Sequence, residues 1–130
     1  METRYNEATH NRPLGDRIID APLVLIDLKK YDQQLTEENG WKKNDRNSIT
    51  IYKTDGFTLV LSRLQAGTVL MDNLSGGLIT IQVIEGSIDF TVSTGSIHVQ
   101  ELQLITIHPG IMHTIRAVEN TLILITSKAM

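Results

Sequence analysis

Three observations predict an all-β domain whose sheets close into a barrel or sandwich. From Ser48 onward apolar residues recur at every second position. Short runs of this kind follow one another about eight or nine times, and Gly, Asn, Asp and Pro punctuate them about every 8–12 residues. The 130 residues suffice for one domain whose core removes roughly two-thirds of the unfolded chain's surface from water. Apolar residues at 41% and charged residues at 21% sit near the globular average, which argues against wholesale disorder.

Residues 1–21 are polar, carry Pro13 and Gly15, and read as an N-terminal arm that orders only on docking to the body or to a second subunit. Residues 22–130 form the domain. Leu23-Val24-Leu25-Ile26 has the composition of a short strand. Asp27 then suits an N-cap, because its carboxylate accepts from unpaired backbone N–H groups. Leu28, Tyr31 and Leu35 share one helical face, so one helix is expected over about 28–39, with Gly40 as the left-handed residue that ends it.

The barrel region runs from 48 to 127. Ile49 and Ile51 alternate with polar residues up to the turn Thr54-Asp55-Gly56. Phe57, Leu59 and Leu61 carry the next strand to Gln65-Ala66-Gly67. Val69, Met71 and Asn73 are expected on one face before Ser75-Gly76-Gly77. Leu78–Glu85 stops at Gly86, and Ile88, Phe90 and Val92 lead to Ser93-Thr94-Gly95. Ile97 and Val99 open a strand with a shared buried face, which turns His98 outward. Leu102–Ile107 is broken by Pro109-Gly110, and His113–Val118 turns at Glu119-Asn120 into Thr121–Thr126. Closing such strands without exposed edges favours two Greek keys wound into a jelly roll.

Charge and composition remove several function classes. The net charge is −3, and Lys29-Lys30 and Lys42-Lys43 are isolated pairs beside acidic residues. Nucleic acid needs clustered cations to replace its counterions, so that partner is not expected. With no cysteine, disulfides, thiolate nucleophiles and Cys-ligated zinc are excluded. The first residues lack the apolar run of a signal peptide, and no apolar run exceeds that of Leu122–Ile125, so no membrane span is expected and the location reads as cytoplasmic by default, with export by another route left open. No phosphate-binding glycine loop and no GxSxG nucleophile motif is present.

Two stretches resemble the paired motifs of the cupin superfamily of small β-barrels, in its small single-domain, cupin-2-like form. The first is Gly67-Thr-Val-Leu-Met-Asp-Asn73-Leu-Ser75-Gly-Gly-Leu-Ile79-Thr-Ile-Gln-Val-Ile-Glu85-Gly86, with both family glycines in place. The second is Leu102-Gln-Leu-Ile-Thr-Ile-His108-Pro109-Gly110-Ile-Met-His113. There Gly110 and His113 fit, while Leu102, His108 and Ala117 stand where the family has Gly, Pro and Asn. The resemblance implies a double-stranded β-helix, covering roughly residues 48–127.

The resemblance also implies where a metal would sit. The family's His, His, Glu and His ligands fall on Asn73, Ser75, Ile79 and His113, so the metal motif is degenerate. Isoleucine offers no donor, an un-ionised serine is a poor ligand, and an amide oxygen suits hard cations better. No cofactor is therefore expected; a metal, if held at all, would use His113 and Asn73. The expected ligand pocket is His113, Asn73, Ser75, Ile79, Met71 and Ile81, with Met71, Met112 and Phe90 as apolar filling.

Each of these residues has a plain reading beside the functional one. His113 is either a hydrogen-bonded structural residue or a pocket anchor or catalytic base. Asn73 and Ser75 are either loop formers or lining of the barrel mouth. His108 reads as a rim residue, His10 as inert, Glu85 as a strand end, and Trp41 as packing for the helix. Thr80 and Gln82 lie opposite Ile79 and Ile81, outside the barrel.

Two functions follow. The first is a metal-free binding or regulatory domain for a small organic ligand. The alternative is a small-molecule enzyme using His113, either of oxygenase or isomerase type through a set such as Asn73, His98 or His108 with His113, or a metal-free isomerase or epimerase with His113 as base. As in many members of that superfamily, a homodimer is expected.

Overall fold

The computed structural model describes residues 3–9, 12 and 17–130; His10, Pro13 and Gly15 of the arm lie outside the described residues. Where the N-terminal segment is described, it is built on the body. Strands β1 (Arg4–Asn6) and β2 (Arg17–Asp20) pair antiparallel. Arg12 reaches Glu38 at 2.9 Å and the Ser48 carbonyl at 2.7 Å, and Arg17 Nε donates to the Thr50 carbonyl at 2.9 Å. Ile19 and Asp20 are buried.

The strand expected at Leu23–Ile26 does not form. A strand needs a partner for its N–H and C=O groups, and the nearby edge, the first strand of the barrel, is flanked by β2 instead. Leu23 and Leu25 consequently stand 91% and 95% exposed.

Helix α1 (Leu28–Glu37) is capped as the sequence predicts, Asp27 accepting from the Lys30 N–H at 3.2 Å. It ends sooner than expected, because Glu38 turns extended and a second short helix, α2 (Asn39–Lys43), follows. Gly40 lies inside α2 and has no left-handed backbone; its role is spatial, since a Cβ there would lie 2.9 Å from the Asn47 side chain.

Nine strands make the barrel: β3 (Arg46–Thr54), β4 (Phe57–Leu64), β5 (Val69–Asn73), β6 (Gly77–Glu85), β7 (Ser87–Val92), β8 (Gly95–Gln100), β9 (Leu104–Ile107), β10 (His113–Ala117) and β11 (Thr121–Ala129). They form two facing antiparallel sheets in the orders β3-β4-β11-β6-β9 and β5-β10-β7-β8, the crossed-over connectivity of a jelly roll. Between the sheets lies one apolar core, including Ile81, Val83, Ile88, Phe90, Ile115 and Ile123. A second cluster sits outside the larger sheet, where Leu35, Leu28 and Tyr31 of α1 cover Ile49, Ile51, Leu61 and Leu122. Arg63, almost buried on that outer face, ties the helix down through paired bonds of 2.9 Å to Asp32 and a further contact to Glu85.

Alternation fails in one strand that matters for function. Across β5 and β10, His113 faces Asn73 but Ile115 faces Leu70, so three steps on β5 oppose two on β10. The extra residue is a β-bulge, which reverses the facing of everything beyond it. Leu70 shares the interior with Asn73, and Met71 turns out to 68% exposure. Met112 is exposed as well, and of the pair Ile97 and Val99 only Val99 is buried.

Candidate functional site

A cavity of about 270 Å³ opens at one end of the barrel. Its walls are Leu70 and Asn73 of β5, Leu74 and Ser75 of the following loop, Ile79 and Ile81 of β6, His113 and Ile115 of β10, and Ile125 of β11. Five of the six residues expected to form a pocket thus meet at one place. Met71 does not, because of the bulge. Four lining residues escaped the sequence reading. Ile115 and Ile125 follow from period two, counted from His113 and Ile123. Leu74 sits in a loop without periodicity, and Leu70 is hidden by a bulge that leaves no mark in local composition.

His113 begins β10 and is 4% exposed. Its ring stacks on Phe90, with centroids 5.2 Å apart and planes 18° from parallel. Nδ1 lies 3.1 Å from the Ile111 carbonyl oxygen. A carbonyl can only accept, so Nδ1 carries the proton and, in the uncharged ring, Nε2 presents a lone pair. Nε2 has no protein partner among the described residues. The sequence offered no group to orient this imidazole; the structure supplies one from the backbone two residues away.

Asn73 is held by the same logic. Nδ2 lies 2.7 Å from the Leu70 carbonyl, so the amide nitrogen must face it and Oδ1 is left over. Ser75 Oγ accepts from the Gly77 N–H at 3.1 Å, which leaves its hydroxyl proton to donate. The Gly110 N–H donates to the Ser75 carbonyl at 2.9 Å and fastens the two mouth loops to each other.

This donor set does not fit a transition metal. One imidazole, one amide oxygen and one hydroxyl already engaged by the backbone stand beside Ile79, which has no lone pair to give. Among the described residues no group of three His, Asp or Glu side chains converges anywhere. His98 and His108 do not join His113: His98 binds Asp89 at 2.9 Å on an exposed face of the smaller sheet, and His108 is exposed in the loop after β9.

A larger, polar cleft of about 710 Å³ lies between the N-terminal segment and α2, lined by Arg12, Arg17, Glu38, Lys43 and Asn47 among others. Its arginines are engaged by Glu38 and by the Ser48 and Thr50 carbonyls. A ligand that used those arginines would compete with the contacts that hold the segment down. The barrel cavity, in contrast, presents polar atoms that no protein group uses. Trp41 lies half-buried in α2, away from the barrel cavity.

No family model matches the chain, and no curated protein matches it. Solved structures do. A protein of unknown function from Streptococcus pyogenes is 21% identical with a TM-score of 0.67, over 96% of this chain and 96% of that one. A cupin-2 domain containing protein from Shewanella frigidimarina is 14% identical with a TM-score of 0.66, over 80% of this chain and 94% of that one. The cupin-2 domain of an XRE family transcriptional regulator from Enterobacter cloacae is 11% identical with a TM-score of 0.59, over 67% of this chain and 99% of that one. Named cupins therefore share the barrel, while the streptococcal protein is similar over nearly the whole chain.

Proposed function

We propose that this cupin-fold barrel is a metal-free binding or regulatory domain that takes a small organic molecule into the cavity beside His113. One observation carries the reading: a mostly apolar cavity at the open end of the barrel holds an imidazole whose orientation is set from behind and whose second nitrogen is unused. Pockets for drug-sized ligands run to about 300–1,000 Å³, so a cavity of 270 Å³ selects something smaller. The cupin-2 domain in a transcriptional regulator supports a regulatory role by analogy of fold.

A thermal-shift screen of small organic compounds tests the reading. A ligand at a hundredfold excess over its Kd should raise the stability of the native protein by about 2.7 kcal/mol. His113→Ala should weaken the same ligand about tenfold, the loss of one hydrogen bond of roughly 1.4 kcal/mol. Equal binding to both proteins removes His113 from the site. Elemental analysis of protein purified without chelator should show no stoichiometric iron, manganese, nickel or zinc, and finding one would overturn the metal-free reading.

Proton transfer by His113 is the second reading, favoured by the Nδ1 contact to Ile111, which supplies the orientation a general base needs. Deuterium exchange from D2O into a bound carbon acid, absent in His113→Phe, is its signature. A homodimer and a cytoplasmic setting complete the proposal; Leu23 and Leu25 support the dimer as apolar surface that a second copy would remove from water.

A further inference from the structure

We infer that the cavity selects an uncharged ligand with an apolar body and a hydroxyl or N–H donor, such as a phenol or small alcohol, and rejects carboxylates. The inference rests on the pocket reading above and adds the chemistry of what enters.

Backbone carbonyls decide it. The Ile111 carbonyl claims the Nδ1 proton of His113, so Nε2 of the uncharged ring accepts. The Leu70 carbonyl claims the amide N–H of Asn73, so Oδ1 accepts. The unused polar atoms of these two side chains are therefore acceptors, and the residues face each other across the β5–β10 pair. Ser75 adds one hydroxyl donor. No charged side chain is among the described lining residues.

A carboxylate brings only lone pairs. It would face two acceptors, give up most of its hydration, and find one hydroxyl in return. An uncharged donor fits the other way round, with its proton on Nε2 or Oδ1 and its body against Ile79, Ile81, Ile115 and Ile125. A single ring is of suitable size, since a dry engineered cavity of about 150 Å³ already holds benzene.

Four isoleucines in the wall make the test direct. Phenol, anisole and benzoate are titrated at pH 8 into protein labelled at the isoleucine methyls and followed by NMR. Phenol should shift the methyls of Ile79, Ile81, Ile115 and Ile125 and bind about tenfold more tightly than anisole, which has the ring but no donor. Benzoate at the same concentration should leave those methyls unmoved. In His113→Phe, whose ring keeps the stack on Phe90, phenol's advantage should shrink to about threefold or less. The wild-type series stands by itself should that variant not fold.

Benzoate binding as tightly as phenol, or phenol and anisole binding alike, overturns the inference and leaves the pocket standing. If none of the three moves the barrel methyls, the pocket reading fails together with it.

Discussion

Leu102 adopts φ +66°, a left-handed backbone that Gly favours and Leu does not. It stands where the resembled motif has glycine. Backbone bonds hold it there: the Leu102 N–H donates to the Val83 carbonyl at 2.8 Å, and the Gln103 carbonyl accepts from the Val83 N–H at 3.0 Å. Left-handed geometry costs an ordinary residue about 1–2 kcal/mol, whereas glycine's extra freedom in the unfolded chain costs about 0.4–1 kcal/mol. With the side chain 75% exposed, little burial is at stake. Leu102→Gly is therefore expected to stabilise the protein by about 0.5–1 kcal/mol in urea melts, and a loss of stability would show that the exposed Leu packs on something in solution. His113 shows the complementary case, a residue whose type was legible as chemistry but whose orientation depended on a carbonyl and a ring brought to it by the fold.

Among elements, the junction of α1 and α2 is where charge holds the structure. Glu38 ends α1 and collects Arg12, Gln34 and Asn47. Burial, the largest single influence, pushes its carboxyl up, but the three hydrogen bonds and the Arg12 charge together outweigh it and hold the group below the ordinary glutamate range. A depressed carboxylate stabilises the fold above the unfolded value of about 4.3 and loses that contribution as pH falls through the folded value. Glu38→Gln should accordingly be less stable than wild type at pH 7, with the gap closing as pH drops below about 4.3 in denaturant titrations. A constant gap across that window would mean that the ion pair with Arg12 contributes nothing. The helix itself was readable from Asp27 and the spacing of Leu28, Tyr31 and Leu35. Its early end was not, because Glu38 is fixed by Arg12 and Asn47, 26 and 9 residues away.

At the scale of the molecule, Leu23 and Leu25 stand out as apolar side chains left in water on the connection between the N-terminal segment and α1. If the protein pairs through this segment, light scattering will report twice the 14.5 kDa chain mass for wild type and one chain mass for the double variant Leu23→Asp, Leu25→Asp. A wild-type monomer at high micromolar concentration would remove the homodimer from the proposal. No helix among the described residues is long and apolar enough to cross a membrane.

Local residue pattern was enough for the all-β class, most strand positions and the turns between them, since period two and glycine punctuation are local properties that follow from backbone sterics. At Ser75 and Ile79 the sequence also departs from the donors that the resembled motif carries. Tertiary structure decided which side chains share the cavity. The bulge in β5 exists only as a mismatch with β10, and it exchanged Met71 for Leu70. Tertiary structure also decided which way His113 and Asn73 point their lone pairs, because a side chain's hydrogen-bonding sense is set by the carbonyl packed against it.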